Sequence, residues 1–259
     1  MKSFTRLIFT FVILSIVAGL AVVLVANARS SARQQRDLGL EQQRFADMIH
    51  RLDNHFRRAD MVVDWQKIDG DGHITETSLL VREYRLLDSG AEPLPVQHVT
   101  IPGSEVHVDG MIVNFLPSLP PEFAAARDTH LAFFNHLFGT GQPLADRFTF
   151  CPRDAVPATV RIHKDYVTRA EQQFWDAMWS ALPPDDKKAA EPPQNAPPPE
   201  ITFTMLPPAM RTVKRGLLYT ASISPDGLTI DETDDRRRVS DIVTAAQAQA
   251  AQNASQPSR

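Results

Sequence analysis

An α+β chain is what this sequence predicts: an N-terminal transmembrane helix continuing into an amphipathic stalk helix, then an antiparallel β-meander head with two packed helices. Three observations carry that reading. Residues 7–26 hold no charge, residues 29–60 repeat apolar side chains every three or four positions, and beyond Met61 the apolar period shortens around Asp-Gly pairs.

Wound as a helix, Leu7 to Val25 would measure roughly 28 Å at 1.5 Å per residue, close to the thickness of a bilayer's hydrocarbon core. Residues 7–26 are therefore expected to anchor the chain in a membrane. Residues 1–6 would form a short cytoplasmic tail, with the bulk of the chain extracytoplasmic, and periplasmic in a Gram-negative envelope. A cleaved signal peptide is the rival reading, since Lys2 and Arg6 form a basic flank and Ala26-Asn27-Ala28 has the small-x-small form of a cleavage site. The apolar run is longer than the roughly 7–15 residues of most signal cores, which favours the anchor. Arg29, Arg33 and Arg36 nearly balance Lys2 and Arg6 across the span. Orientation thus rests on a tiny leading tail before a long translocated portion.

In residues 29–60 the apolar positions Leu38, Phe45, Met48, Ile49, Leu52 and Phe56 recur at helical spacing. Leu38, Phe45 and Leu52 fall seven apart, as one heptad position would. Such a helix packs on its own domain or self-associates as a stalk, so a protein partner or a homo-oligomer is expected. The layout of apolar helix, amphipathic continuation and β-rich head, with Ser3-Phe4-Thr5 near its start, resembles the pseudopilins of type II secretion systems over residues 1–60. That family carries Gly before the Phe and Glu five residues into the mature chain, where this sequence has Ser3 and Ile8. The resemblance implies a secretion-system component as one alternative role.

Residues 61–182 read as an α+β extracytoplasmic domain. Val62 to Ile68 and Ile74 to Leu86 flank Asp69-Gly70-Asp71-Gly72, the form of a tight hairpin. Val96 to Ile101 should be a strand ending at Pro102-Gly103, and Asp109-Gly110 should turn Val106–Val108 back into Met111–Phe115. Between Pro121 and Gly139 the positions Phe123, Leu131, Phe134, Leu137 and Phe138 suggest a helix capped by Gly139. Thr159 to His163 looks like a short strand. Thr168-Arg169-Ala170-Glu171 has the form of a capping box opening a second helix. Phe174, Trp175, Met178, Trp179 and Leu182 form its apolar stripe, which is either a core face or, through Phe174, Trp175, Met178 and Trp179, a partner-docking face.

Residues 183–200 are Pro-rich and charged, and are expected to be a linker or extended loop. Residues 201–244 should continue the β-rich domain, with strands at Ile201–Met205, Leu217–Ile223 and Leu228–Ile230 and a turn at Ser224-Pro225-Asp226-Gly227. Residues 245–259 lack large apolar side chains and read as a disordered tail.

Composition excludes some roles. A formal net charge of −4 gives no electrostatic footprint for nucleic acid. The one cysteine, Cys151, closes no intramolecular disulfide and, between Phe150 and Pro152, reads as a small buried hydrophobe. Asp69-Gly70-Asp71-Gly72-His73-Ile74 echoes the middle of a calcium loop, but Lys67 and Ser78 stand at the first and twelfth ligand positions, so a hairpin turn is expected and no metal. His130 and His136, read as helical, would project to different faces, and His50 and His55 are no better spaced. No nucleophile elbow, phosphate loop or Glu-x-x-His motif occurs. No cofactor and no catalytic residue is therefore assigned. The expected role is a non-enzymatic, single-pass membrane-anchored component of an envelope assembly. Two alternatives remain open: an enzyme, recognisable by a concave site lined by His and carboxylates of perturbed pKa, or a small-ligand binder with a closed, mostly apolar cavity.

Overall fold

The structure, a computed structural model, describes residues 57–87, 90–119, 127–153, 155–161, 165–182, 201–224 and 226–255, together with Arg36. Its contacts divide the chain into Met1–Arg44 and Phe45–Arg259. The expected anchor at 7–26, the linker at 183–200 and, apart from Arg36, the stalk as far as residue 56 lie outside the described residues. Among the described residues no helix is long and apolar enough to cross a membrane.

In the second unit the fold is α+β, with two antiparallel sheets and two helices. β1 (Arg57–Ile68) and β2 (Ile74–Leu87) form the hairpin expected around Asp69-Gly70-Asp71-Gly72. Gly72 takes φ +89° there, and Asp69 Oδ1 accepts the backbone N–H of Asp71 at 3.0 Å and of His73 at 2.8 Å. β3 (Gly90–Pro93) and β4 (Gln97–Pro102) both pair with the free side of β2. β9 (Leu218–Ser224) pairs with β1, and β10 (Gly227–Thr233) with β9, completing a six-stranded sheet. The second sheet has the order β7-β6-β5-β8. It is built from β5 (Glu105–Phe115), β6 (His130–Gly139), the short β7 (Phe148–Thr149) and β8 (Ile201–Thr212).

The layers run helix, sheet, sheet, helix. Met61, Val63, Leu79 and Val81 of the first sheet meet Val106, Val108, Phe134 and Leu137 of the second in one core. α1 (Arg169–Ala181) covers the outer face of the second sheet, where Phe174 and Trp175 pack with Met111, Val113 and Phe133. α2 (Arg236–Ser255) covers the outer face of the first, placing Ile242 and Ala246 against Val62, Leu80 and Leu218. With both faces of each sheet covered, the central strands are apolar on both sides.

Several expectations fail for that reason. The head is a two-sheet sandwich, not one meander. The helix expected over 121–139 is, over His130–Gly139, the strand β6, nearly all of it buried. A run that is apolar on both faces shows no period that separates strand from helix. Gly139 caps nothing: a Cβ there would sit 2.4 Å from the carbonyl oxygen of Pro102. Asp109-Gly110 does not turn either, because β5 runs straight through it, and a Cβ on Gly110 would stand 2.9 Å from the Phe133 carbonyl oxygen. Both glycines permit close approach of backbone. The strand expected at Thr159–His163 is a 3-10 turn over Ala158–Val160. Arg57–Asp60, read as the end of the stalk helix, already belong to β1. The tail expected from 245 is, as far as Ser255, helix α2. Ala and Gln are good helix formers, and Ala246 packs close against the sheet because it is small. The capping box forms as expected, with Glu171 N donating to Thr168 Oγ1 at 3.2 Å and Thr168 N to Glu171 Oε2 at 3.3 Å.

Candidate functional site: an inter-sheet cavity beside an unpaired arginine

The register of the first sheet sets the site. Ala59 pairs with Glu83 across the β1–β2 ladder, so Arg57 is the diagonal neighbour of Glu83 on the same face. That face is the inner one, since Ala59, Met61, Leu79 and Val81 alternate with them into the inter-sheet core. Arg57 reaches across the gap, where its Nε donates to the backbone oxygen of Ala132 on β6 at 2.9 Å and its guanidinium lies 5.8 Å from the centre of the Phe133 ring.

Glu83, but not Arg57, lines an open groove of about 350 Å³, whose other walls include Val81, Leu94, Gln97, Phe148 and Phe150. It opens where the β3–β4 edge of one sheet faces β7 of the other, with the segment after β7 as a further wall. Most of the lining is apolar. Gln97 and Thr149 supply neutral polar groups and Glu83 a carboxyl.

The electrostatics are unusual. Arg57 is 4% exposed, and among the described residues neither of its terminal guanidinium nitrogens has a hydrogen-bond partner. Burial lowers its pKa to about 10, with the carboxyl of Glu83 the main opposing influence. Burial pushes the Glu83 carboxyl up to about 7, with Arg57 pulling the other way. Cys151, buried between two lining residues as its neighbours suggested, is held as a thiol: burial and the charge of Glu83 raise its pKa, and Arg57 offsets only part of this. The groove that Glu83 lines, mostly apolar, can receive a small, largely apolar molecule.

Other polar clusters are self-contained. Asp109, at an irregularity in the pairing of β5 with both neighbours, accepts from the His136 backbone N at 2.6 Å and contacts His136 Nδ1 at 3.2 Å. Arg147 lies 3.8 Å from the same carboxylate and stacks 3.7 Å over Phe138. Among the described residues no Ser, Thr or Cys side chain hydrogen-bonds to His136, so the pair staples the bulge without a nucleophile. His130 lies on the same strand, not on a helix. Asp69, Asp71 and His73 bring ligand atoms within 4.8 Å of one another, all exposed, but Asp69 is engaged in holding its own turn.

Phe174, Trp175, Met178 and Trp179 are interior residues, at 1%, 0%, 0% and 9% exposure. Trp175 packs edge-on against Phe133, and Trp179 Nε1 donates to the Ala155 carbonyl oxygen at 3.0 Å. The face they form packs on the second sheet in the folded chain. Sequence reasoning missed Arg57 and Glu83. The one available clue was an acidic residue at an inward-facing strand position, in step with Leu79 and Val81. Compared with protein-family models, curated proteins and solved structures, the chain matches none.

Proposed function

We propose that this protein is a single-pass membrane-anchored, extracytoplasmic binding module that works without catalysis and receives a small, largely apolar molecule between its two sheets. The carrying observation is the mostly apolar groove of about 350 Å³, within the usual size range of ligand pockets. At roughly 30 Å³ per non-hydrogen atom, the volume share of a water molecule, it has room for on the order of ten such atoms. The uncharged run at 7–26 supports the anchor, and a binding head on a stalk suits a component that presents its ligand to an envelope partner.

Calorimetric titration of the full chain in lipid nanodiscs tests the reading, with empty discs subtracting membrane partition. The probes are water-soluble molecules of that size: phenylacetate, hexanoate, octanoate and their amides. Saturable one-to-one heat from any of them, abolished by filling the cavity with Ala158→Trp, supports the module. Absence of saturable binding by all six sinks it.

A further inference from the structure

We propose that the ligand of this groove is a small apolar amine whose ammonium head pairs with the carboxylate of Glu83. The inference rests on the binding reading above and names the class of molecule that reading leaves open.

Charge complementarity selects the head. Among the described residues that line the groove, Glu83 alone carries an ionisable side chain; Gln97 and Thr149 are polar but neutral, and the remaining walls are apolar. Glu83 is half-buried and is itself a wall of an open groove, so an incoming molecule meets it without entering the core. A mostly apolar site with one acid favours a cationic head and disfavours a second carboxylate, since like charges placed together in such surroundings repel.

Arg57 does not use up this carboxyl. Its Nε donates to the Ala132 oxygen, and its two terminal nitrogens have no partner among the described residues, so no hydrogen bond joins it to Glu83. On the outer face of the same sheet, one carboxylate serves two cations: Asp60 is shared by Arg58 and Arg238. Glu83 has Arg57 as its neighbour within the sandwich, and the groove walls supply no second cation. An ammonium group, compact and with three N–H donors, fills that role from the groove.

The walls suit the rest of the molecule. Phe148 and Phe150 pack edge-on at 5.1 Å between ring centres and line the groove with Val81, Leu94 and Pro95. Burying a short alkyl or aryl body on these surfaces removes apolar area from water, and aromatic walls tolerate a nearby cation because a ring face attracts positive charge.

The nanodisc titration is repeated in phosphatidylcholine discs at pH 8, where Glu83, titrating near 7, is ionised. Phenethylamine, hexylamine and octylamine join the matched acids and amides. Each amine is expected to bind at least about tenfold tighter than its amide, the order expected when a neutral donor is replaced by a charged one, and each acid should bind weakest. Glu83→Gln should remove the margin of amine over amide, while saturable amide heat shows that the groove is still formed. Ala158→Trp should abolish the amine heat. Amines no tighter than amides in wild type, or acids the tightest, would overturn the amine inference and leave a binding module. So would a margin that survives Glu83→Gln, or amine heat that survives Ala158→Trp. If none of the six acids and amides gives saturable heat, the binding reading falls and this inference with it.

Discussion

Asp60 and Arg57 stand on the same strand and are both buried, Asp60 at 0% and Arg57 at 4% exposure, yet their surroundings differ completely. Asp60 points to the outer face of the first sheet, where α2 covers it. Its carboxylate accepts from Arg58 at 3.1 and 3.2 Å, from Tyr84 Oη at 2.6 Å, from Thr220 Oγ1 at 3.0 Å and, closest of all, from Arg238 of α2. Arg57 points to the inner face and satisfies one nitrogen of three. A buried charge that serves structure is closed on every side by protein groups. The contrast teaches that the fold can satisfy a buried ion on this strand, and that among the described residues it leaves the terminal nitrogens of Arg57 without a partner.

Breaking the satisfied side should have the largest effect. Asp60→Ala leaves Arg58, Arg238 and Tyr84 without their common acceptor, and removing one partner of a buried ionic network typically costs roughly 3–5 kcal/mol. Urea denaturation of the full chain checks this. A loss below about 1 kcal/mol would show that the network is no better than surface ion pairs and remove one half of the comparison.

The unsatisfied side is sharpened by pH. Glu83 has a folded pKa of about 7 against an ordinary value of 4.5, so the folded chain holds this proton more tightly than the unfolded chain. Its contribution is fully present below pH 4.5 and is lost as pH rises through about 7. The difference converts to roughly 3 kcal/mol across that window. The stability of wild type minus that of Glu83→Gln, measured from pH 4 to pH 8.5, should fall by that order; a flat difference means that Glu83 is solvated like any surface carboxyl.

A neutral pair gives the smaller reference. Gln249 of α2 meets both backbone groups of Val96, accepting from its N–H and donating to its oxygen, each at 3.2 Å. Gln249→Ala should cost roughly 1–2 kcal/mol, less than the Asp60 effect. A cost equal to that of Asp60→Ala would mean that seating α2, and not charge satisfaction, governs the outer face.

How far these features were legible follows from their range along the chain. The Asp69–Gly72 turn and the Thr168–Glu171 box are local devices, and both were readable from a few residues. β6 was not, because burial on both faces erases its period. Neither was α2, whose close seat on the sheet uses Ala246 where a large apolar residue was looked for. The site was the least legible part. Arg57 sat in what read as a stalk, Glu83 in an ordinary strand, and only the pairing of Ala59 with Glu83 brings the two together. No short motif records a register.

The most direct test of the central claim is the stability of Arg57→Met without ligand. Denaturation of the full chain at pH 5.5, below the pKa of Glu83 near 7, keeps that carboxyl neutral and leaves no new unpaired charge. If the two terminal nitrogens of Arg57 are unused, the apolar replacement loses one hydrogen bond and relieves two buried donors. The midpoint should then stay level or rise. A fall equivalent to roughly 3 kcal/mol or more would mean that Arg57 is already paired within the folded chain, and would contradict the claim that its terminal donors are unused.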